Sequence, residues 1–84
     1  MNQKVDVEIF GEIIPLKTDG DSEYVRNLAA SVDKTMRGIA QKTRSFSPAR
    51  VGVLAALEFA DKYFQAKRDY DELLDLLESK KNHK

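Results

Sequence analysis

Polar and apolar residues alternate near the start of the chain. Val5, Val7 and Ile9 are separated by Lys4, Asp6 and Glu8, the period of two that marks a strand with one covered face. Gly11-Glu12 follows, and a Gly-X pair predicts a two-residue type II′ turn. That turn would set Ile9 opposite Ile14 and Val7 opposite Leu16, leaving only Phe10 and Ile13 off the apolar face. On the other face it would set Asp6 against Lys17 and Lys4 against Asp19, opposite charges across the ladder. Pro15 has no N–H to donate, which predicts an edge strand or a nitrogen pointing away from a neighbouring strand. A lone hairpin does not persist in water, so this one requires a helix or a second hairpin against it.

The period changes after the polar stretch from Thr18 to Ser22. Asp21 or Ser22 is placed to cap a helix, with Glu23 in its first turn. Tyr24, Val25, Leu28, Ala29, Val32, Met36, Ile39 and Ala40 then mark one apolar face up to Lys42. Thr43 to Phe46 reads as a connector, and Ser47-Pro48 supplies an N-cap followed by proline at the first helical position.

From Ser47 to Lys80 the pattern is that of a single helix, roughly 50 Å long at 1.5 Å per residue. Val53, Ala56, Ala60, Tyr63, Lys67, Tyr70, Leu74, Leu77 and Lys81 recur at alternating spacings of three and four, the seam of a coiled coil. In the first half, Leu54, Leu57, Phe59 and Phe64 widen the apolar surface beyond a two-helix seam. In the second half Arg68, Asp69, Asp71, Glu72, Asp75 and Glu78 flank a narrower stripe. Hydrophobic association at the seam outweighs surface pairs such as Glu58 with Lys62 or Arg68 with Glu72. The residues assigned to oligomerisation are therefore Val53, Leu54, Ala56, Leu57, Ala60, Tyr63, Phe64, Tyr70, Leu74 and Leu77. The heptads are compatible with a dimer or a tetramer, and with parallel or antiparallel helices.

These elements predict an α+β fold: a β-hairpin, a helix and a long C-terminal coiled-coil helix (ββαα), forming an obligate oligomer. Residues 1–46 form the hairpin and first helix of a dimerisation head. Residues 47–84 form the long helix, its first half packed in the head and its second half a stalk. The chain has 84 residues, so a protruding helix leaves too little for a sizeable core of its own.

Composition narrows the function. The absence of cysteine removes disulfides, thiolate metal sites and a cysteine nucleophile, and fits a reducing cytoplasm. Residues 1–10 alternate rather than forming an apolar leader, and no run is long enough to span a bilayer, which predicts a soluble intracellular protein. Fourteen basic and fourteen acidic side chains cancel, so no long-range field draws in nucleic acid or anionic lipid. Lys80, Lys81, His83 and Lys84 form a short basic end that suits a helix C-terminus.

No catalytic constellation appears. His83 is the only histidine and lies next to the C-terminus, and there is no nucleophile elbow, phosphate loop or zinc spacing. Asp69, Asp71, Glu72 and Asp75 are dense but spread over several helix faces, as a solvated surface does. Tyr63 and Tyr70 fit core packing with their hydroxyls at the rim. The expectation is no enzyme, no cofactor and no metal. A ribbon-helix-helix DNA-binding dimer would aim Lys4, Asp6 and Glu8 at DNA, and two carboxylates there would repel phosphates. A coiled-coil adaptor for a cytoplasmic partner fits the pattern better.

Three stretches together resemble one family. They are Val5-Asp6-Val7-Glu8-Ile9-Phe10-Gly11, then Tyr24-Val25-Arg26-Asn27-Leu28-Ala29 with Val32-Asp33-Lys34-Thr35-Met36, and Ser47-Pro48-Ala49-Arg50-Val51-Gly52-Val53-Leu54-Ala55-Ala56-Leu57. Their order and spacing resemble the ZapA cell-division proteins, which associate with the tubulin-like GTPase FtsZ. The resemblance implies a small cytoplasmic protein at the division site that dimerises through its head, extends a coiled coil and pairs into a dimer of dimers. It further implies a noncatalytic role, bridging or bundling FtsZ protofilaments to support the Z-ring, with no nucleic acid or membrane partner. Candidate FtsZ contacts are the charged residues Glu12, Lys17, Lys42, Arg44 and Arg50 on the turn, second strand and connector.

Overall fold

The computed structural model describes residues 3–82, with side chains through Ser79. Two strands, β1 (Gln3–Ile9) and β2 (Glu12–Thr18), are followed by α1 (Ser22–Thr43) and α2 (Pro48–Asn82). The architecture is α+β, a two-stranded antiparallel hairpin followed by two helices.

The hairpin register differs from the expected one by two residues. Ile9 pairs with Glu12, Val7 with Ile14, Val5 with Leu16 and Lys4 with Lys17. The turn is therefore Phe10-Gly11, not Gly11-Glu12, and both residues take left-handed φ values, 52° and 83°. Those angles define a type I′ turn, whose twist matches that of the strands. A shift of two preserves which residues share a face, so Val5, Val7, Ile9 and Ile14 still point inward. The expected charge pairs are lost: Lys17 faces Lys4, with Asp6 only diagonal to it. Asp6 instead faces Pro15. Counting from the turn, that is a non-hydrogen-bonded position, so the proline nitrogen points to the open side of the hairpin.

Phenylalanine rarely accepts a positive φ. Here the Phe10 N–H, left free by the turn, donates to Asp33 Oδ1 at 2.7 Å, while its side chain packs against the cluster around Met36 and Ala40. Asp33 Oδ2 accepts from Arg37 Nε at 2.9 Å, one turn further along α1. The Phe10 amide, then the Arg37 guanidinium, hold the Asp33 carboxyl below its ordinary 3.8.

Asp21 caps α1, its side chain accepting the Glu23 N–H, and Arg44 closes the helix in the left-handed region. At the start of α2 the Ser47 hydroxyl accepts from the Arg50 N–H and the Ser47 carbonyl from the Val51 N–H. Proline at the first helical position costs no hydrogen bond there.

Helix α1 lies between the hairpin and α2. Val5 and Val7 bury against Ala29, with Val25 beside them. On the other side Val51 and Ala55 bury against Met36 and Ala40, with Ile39 and Phe59 at the edge. Among the described residues only seven hydrophobic side chains are buried, three of them alanines, whereas fourteen large ones are exposed. The radius of gyration is 18.1 Å, against about 12 Å for a compact chain of this length. The apolar surface of this chain thus greatly exceeds what it covers by itself.

Candidate functional site

Helix α2 runs for 35 residues, and from Ala60 to Ser79 every side chain is exposed. Only its first turns touch α1, through Val51, Ala55 and Phe59. The heptad positions Val53, Ala56, Ala60, Tyr63, Tyr70, Leu74 and Leu77 lie on the uncovered side. Tyr63 and Tyr70 are each more than half exposed, and Leu74 retains 38% of its surface and Leu77 54%. Of the flanking residues assigned to oligomerisation, Leu57 and Phe64 are exposed and Leu54 is half-buried. The Tyr63 and Phe64 rings meet edge to face at 5.2 Å, which holds both rings at the seam margin. Alanines at 56 and 60 let a second backbone approach closely there. Of the expected surface pairs, Lys62 reaches Glu58 at 3.4 Å. The expectations for the side chains of Lys80 and Lys81, and for His83 and Lys84, lie outside what the structure describes.

The candidate contact residues fall at two ends of the head. Lys42 in the last turn of α1, Arg44 at its cap and Arg50 in the first turn of α2 gather at the connector, all exposed. Glu12 adjoins the hairpin turn, and Lys42 lines a different groove, between α1 and α2. Lys17 is five residues along β2, roughly 16 Å away, and does not join them. Between the turn and the connector lies a groove of about 340 Å³ lined by Phe10, Gly11, Arg37, Ala40, Gln41 and Phe46. Phe46 is 69% exposed. Sequence reasoning placed Phe46 in a bland connector and missed this groove. The available signal was one aromatic residue set in Thr43-Arg44-Ser45-Phe46-Ser47, where nothing in the local pattern calls for it.

Among the described residues no three His, Cys, Asp or Glu side chains converge as a metal ion would require. Within the same range no helix is long and apolar enough to cross a membrane.

A small α+β head carrying a long helix with an unmatched apolar seam is the architecture of a self-associating coiled-coil protein. The family model described as "Cell division protein ZapA" matches residues 5–83. This chain belongs to the ZapA family of cell division proteins. A Cell division protein ZapA of Geobacillus sp. (strain WCH70) is 30% identical over 79 residues, 94% of this chain and 91% of the relative. One of Bacillus thuringiensis (strain Al Hakam) is 29% identical over 77 residues, 92% and 86% of the two chains. Among solved structures, a ZapA mutant dimer from Geobacillus stearothermophilus superposes with a TM-score of 0.70 at 26% identity, covering 93% of this chain and 91% of that one.

Proposed function

We propose that this chain is a noncatalytic division-site protein that binds FtsZ and cross-links its protofilaments as a cytoplasmic homodimer, with pairing of dimers as a further step. The observation that carries this reading is the uncovered seam of α2 in a chain with only seven buried hydrophobic side chains among the described residues. Pairing through that seam places two identical heads on one stiff rod. Two weak contacts on a rod bridge neighbouring filaments far better than either alone, because the second contact forms at high effective concentration. Residues 1–46 act as the head and 47–84 as the rod with its packed base.

Within that reading, Arg44 and Arg50 at the connector and Glu12 at the turn form one contact surface, with Lys42 and Lys17 as separate contacts. Adding the purified protein to FtsZ polymers is expected to raise light scattering through bundling. No rise across a range of salt concentrations would assign the rod to another client. Reversing charge at Arg44 and Arg50 is expected to weaken cosedimentation with FtsZ while the self-association measured by sedimentation stays unchanged. Unaltered cosedimentation would remove both residues from the contact surface.

A further inference from the structure

A second groove lies between α1 and α2, on the side of α2 away from the heptad seam. It has a volume of about 380 Å³, and its lining includes Lys34, Thr35, Gly38, Lys42, Glu58 and Lys62. Lys34, Gly38 and Lys42 are spaced four apart on one row of α1. A side chain at position 38 would meet nothing within 4 Å, so the floor between the two lysines is open. Lys62 stands across the groove, and its neighbour Glu58 at 3.4 Å is the only carboxylate in the lining. The wider sequence sharpens this: residues 34–57 carry five cations and no acid.

The stalk is its electrical complement. Residues 69–79 carry Asp69, Asp71, Glu72, Asp75 and Glu78 and no cation, and all are exposed. Asp71, Asp75 and Glu78 fall on one helical ridge at steps of four and three, clear of the seam positions. Lys34 and Lys42 are about 12 Å apart along α1, and Asp71 and Glu78 about 10 Å apart along α2. A helical ridge of matched length offers each lysine a carboxylate of its own, which a single phosphate or carboxylate does not. The stalk cannot return to its own groove, because a continuous helix carries Asp71 about 14 Å beyond Lys62.

We propose that the lysine groove between α1 and α2 docks the acidic ridge of a second copy's stalk, joining one seam-held dimer to the next. The contact is heterologous, groove to ridge, so it closes into a ring or extends as a filament according to the rotation it imposes. It uses no seam residue, and it stands whether or not FtsZ is the client.

Sedimentation velocity on the full chain alone tests this. Species larger than the seam-held unit are expected at about 50 mM NaCl and are expected to vanish at about 500 mM, where exposed charges are screened within a few ångströms. Lys34→Glu with Lys42→Glu, and separately Asp71→Lys with Asp75→Lys, should each weaken this association about tenfold or more. Mixing the two reversed proteins should restore it, because each then supplies the partner the other lacks. Circular dichroism confirms that each variant is folded, and because the two pairs sit on different helices, loss of one leaves the other as a test. Absence of larger species at low salt, or no recovery on mixing, would overturn the proposal. It fails equally if the stalk reversal assembles as the wild type does while the lysine reversal does not, since the groove would then be holding something other than the ridge.

Discussion

The seam of α2 gives the sharpest quantitative expectation. Leu74 and Leu77 lie on consecutive heptad positions with 38% and 54% of their surfaces open, so pairing covers nearly one leucine's worth of surface per protomer. Full burial of one such side chain is worth about 1.5–3 kcal/mol. A twofold pairing counts it twice, about 3–6 kcal/mol, which corresponds to between about 10² and 10⁴ in the association constant. Alanine keeps the first carbon, so Leu74→Ala with Leu77→Ala should weaken self-association by about two orders of magnitude, toward the lower end of that range. Sedimentation equilibrium across protein concentration measures this directly. Circular dichroism on the same samples should show concentration-dependent loss of helix, since a stalk without a partner has no tertiary support. A double variant with the wild-type association constant and melting curve would show that the apolar stripe on α2 faces solvent in the assembly and that the interface lies elsewhere.

Three further outcomes concern the hairpin. Gly11→Ala should destabilise the head by about 1 kcal/mol, because φ of 83° strains an alanine although its methyl group would touch nothing within 4 Å. On a domain of this size that is a fall of about 4–8 °C in melting temperature, and an unchanged melt would contradict the turn as described. Asp33→Asn should speed hydrogen exchange at the Phe10 amide, because a neutral acceptor is weaker and the Arg37 partner is lost; unchanged protection would show that the turn holds without the carboxylate. The pH dependence follows from the lowered titration of Asp33, a group ionised more readily in the fold than in the unfolded chain. Its stabilising contribution is complete above the ordinary carboxylate value of 3.8 and is lost as pH falls below it. The acid-side destabilisation of the wild type should therefore be shallower in the Asn variant.

Much of the fold was legible because periodicity is robust to small errors. Alternation at Val5, Val7 and Ile9, the cap at Asp21 and the Ser47-Pro48 signal each mark an element without reference to the rest of the chain. The hairpin register was not legible, for a physical reason. Moving the pairing by two leaves every side chain on its original face, so the apolar pattern supports both registers equally. Turn chemistry and cross-strand charge separate them, and both favour the other register: it would pair Asp6 with Lys17 and Lys4 with Asp19, and it avoids Phe10 at positive φ. What tips the balance is Asp33, a residue 23 positions away whose contact exists only after α1 has docked. The heptad spacing of α2 was likewise visible in the sequence, whereas the grooves were not, because each is formed by segments that become neighbours only in the folded chain. Phe10 with Phe46, and Lys42 with Lys62, are pairs of this kind.

The bond between Phe10 and Asp33 also bears on how such a chain can vary. A backbone amide is present at position 10 whatever the side chain, but only the carboxylate on α1 compensates a bulky residue held in a left-handed turn there. Positions 10 and 33 are thus coupled in stability: loss of the acid costs less where glycine or asparagine, which accept the left-handed region, stands at the turn.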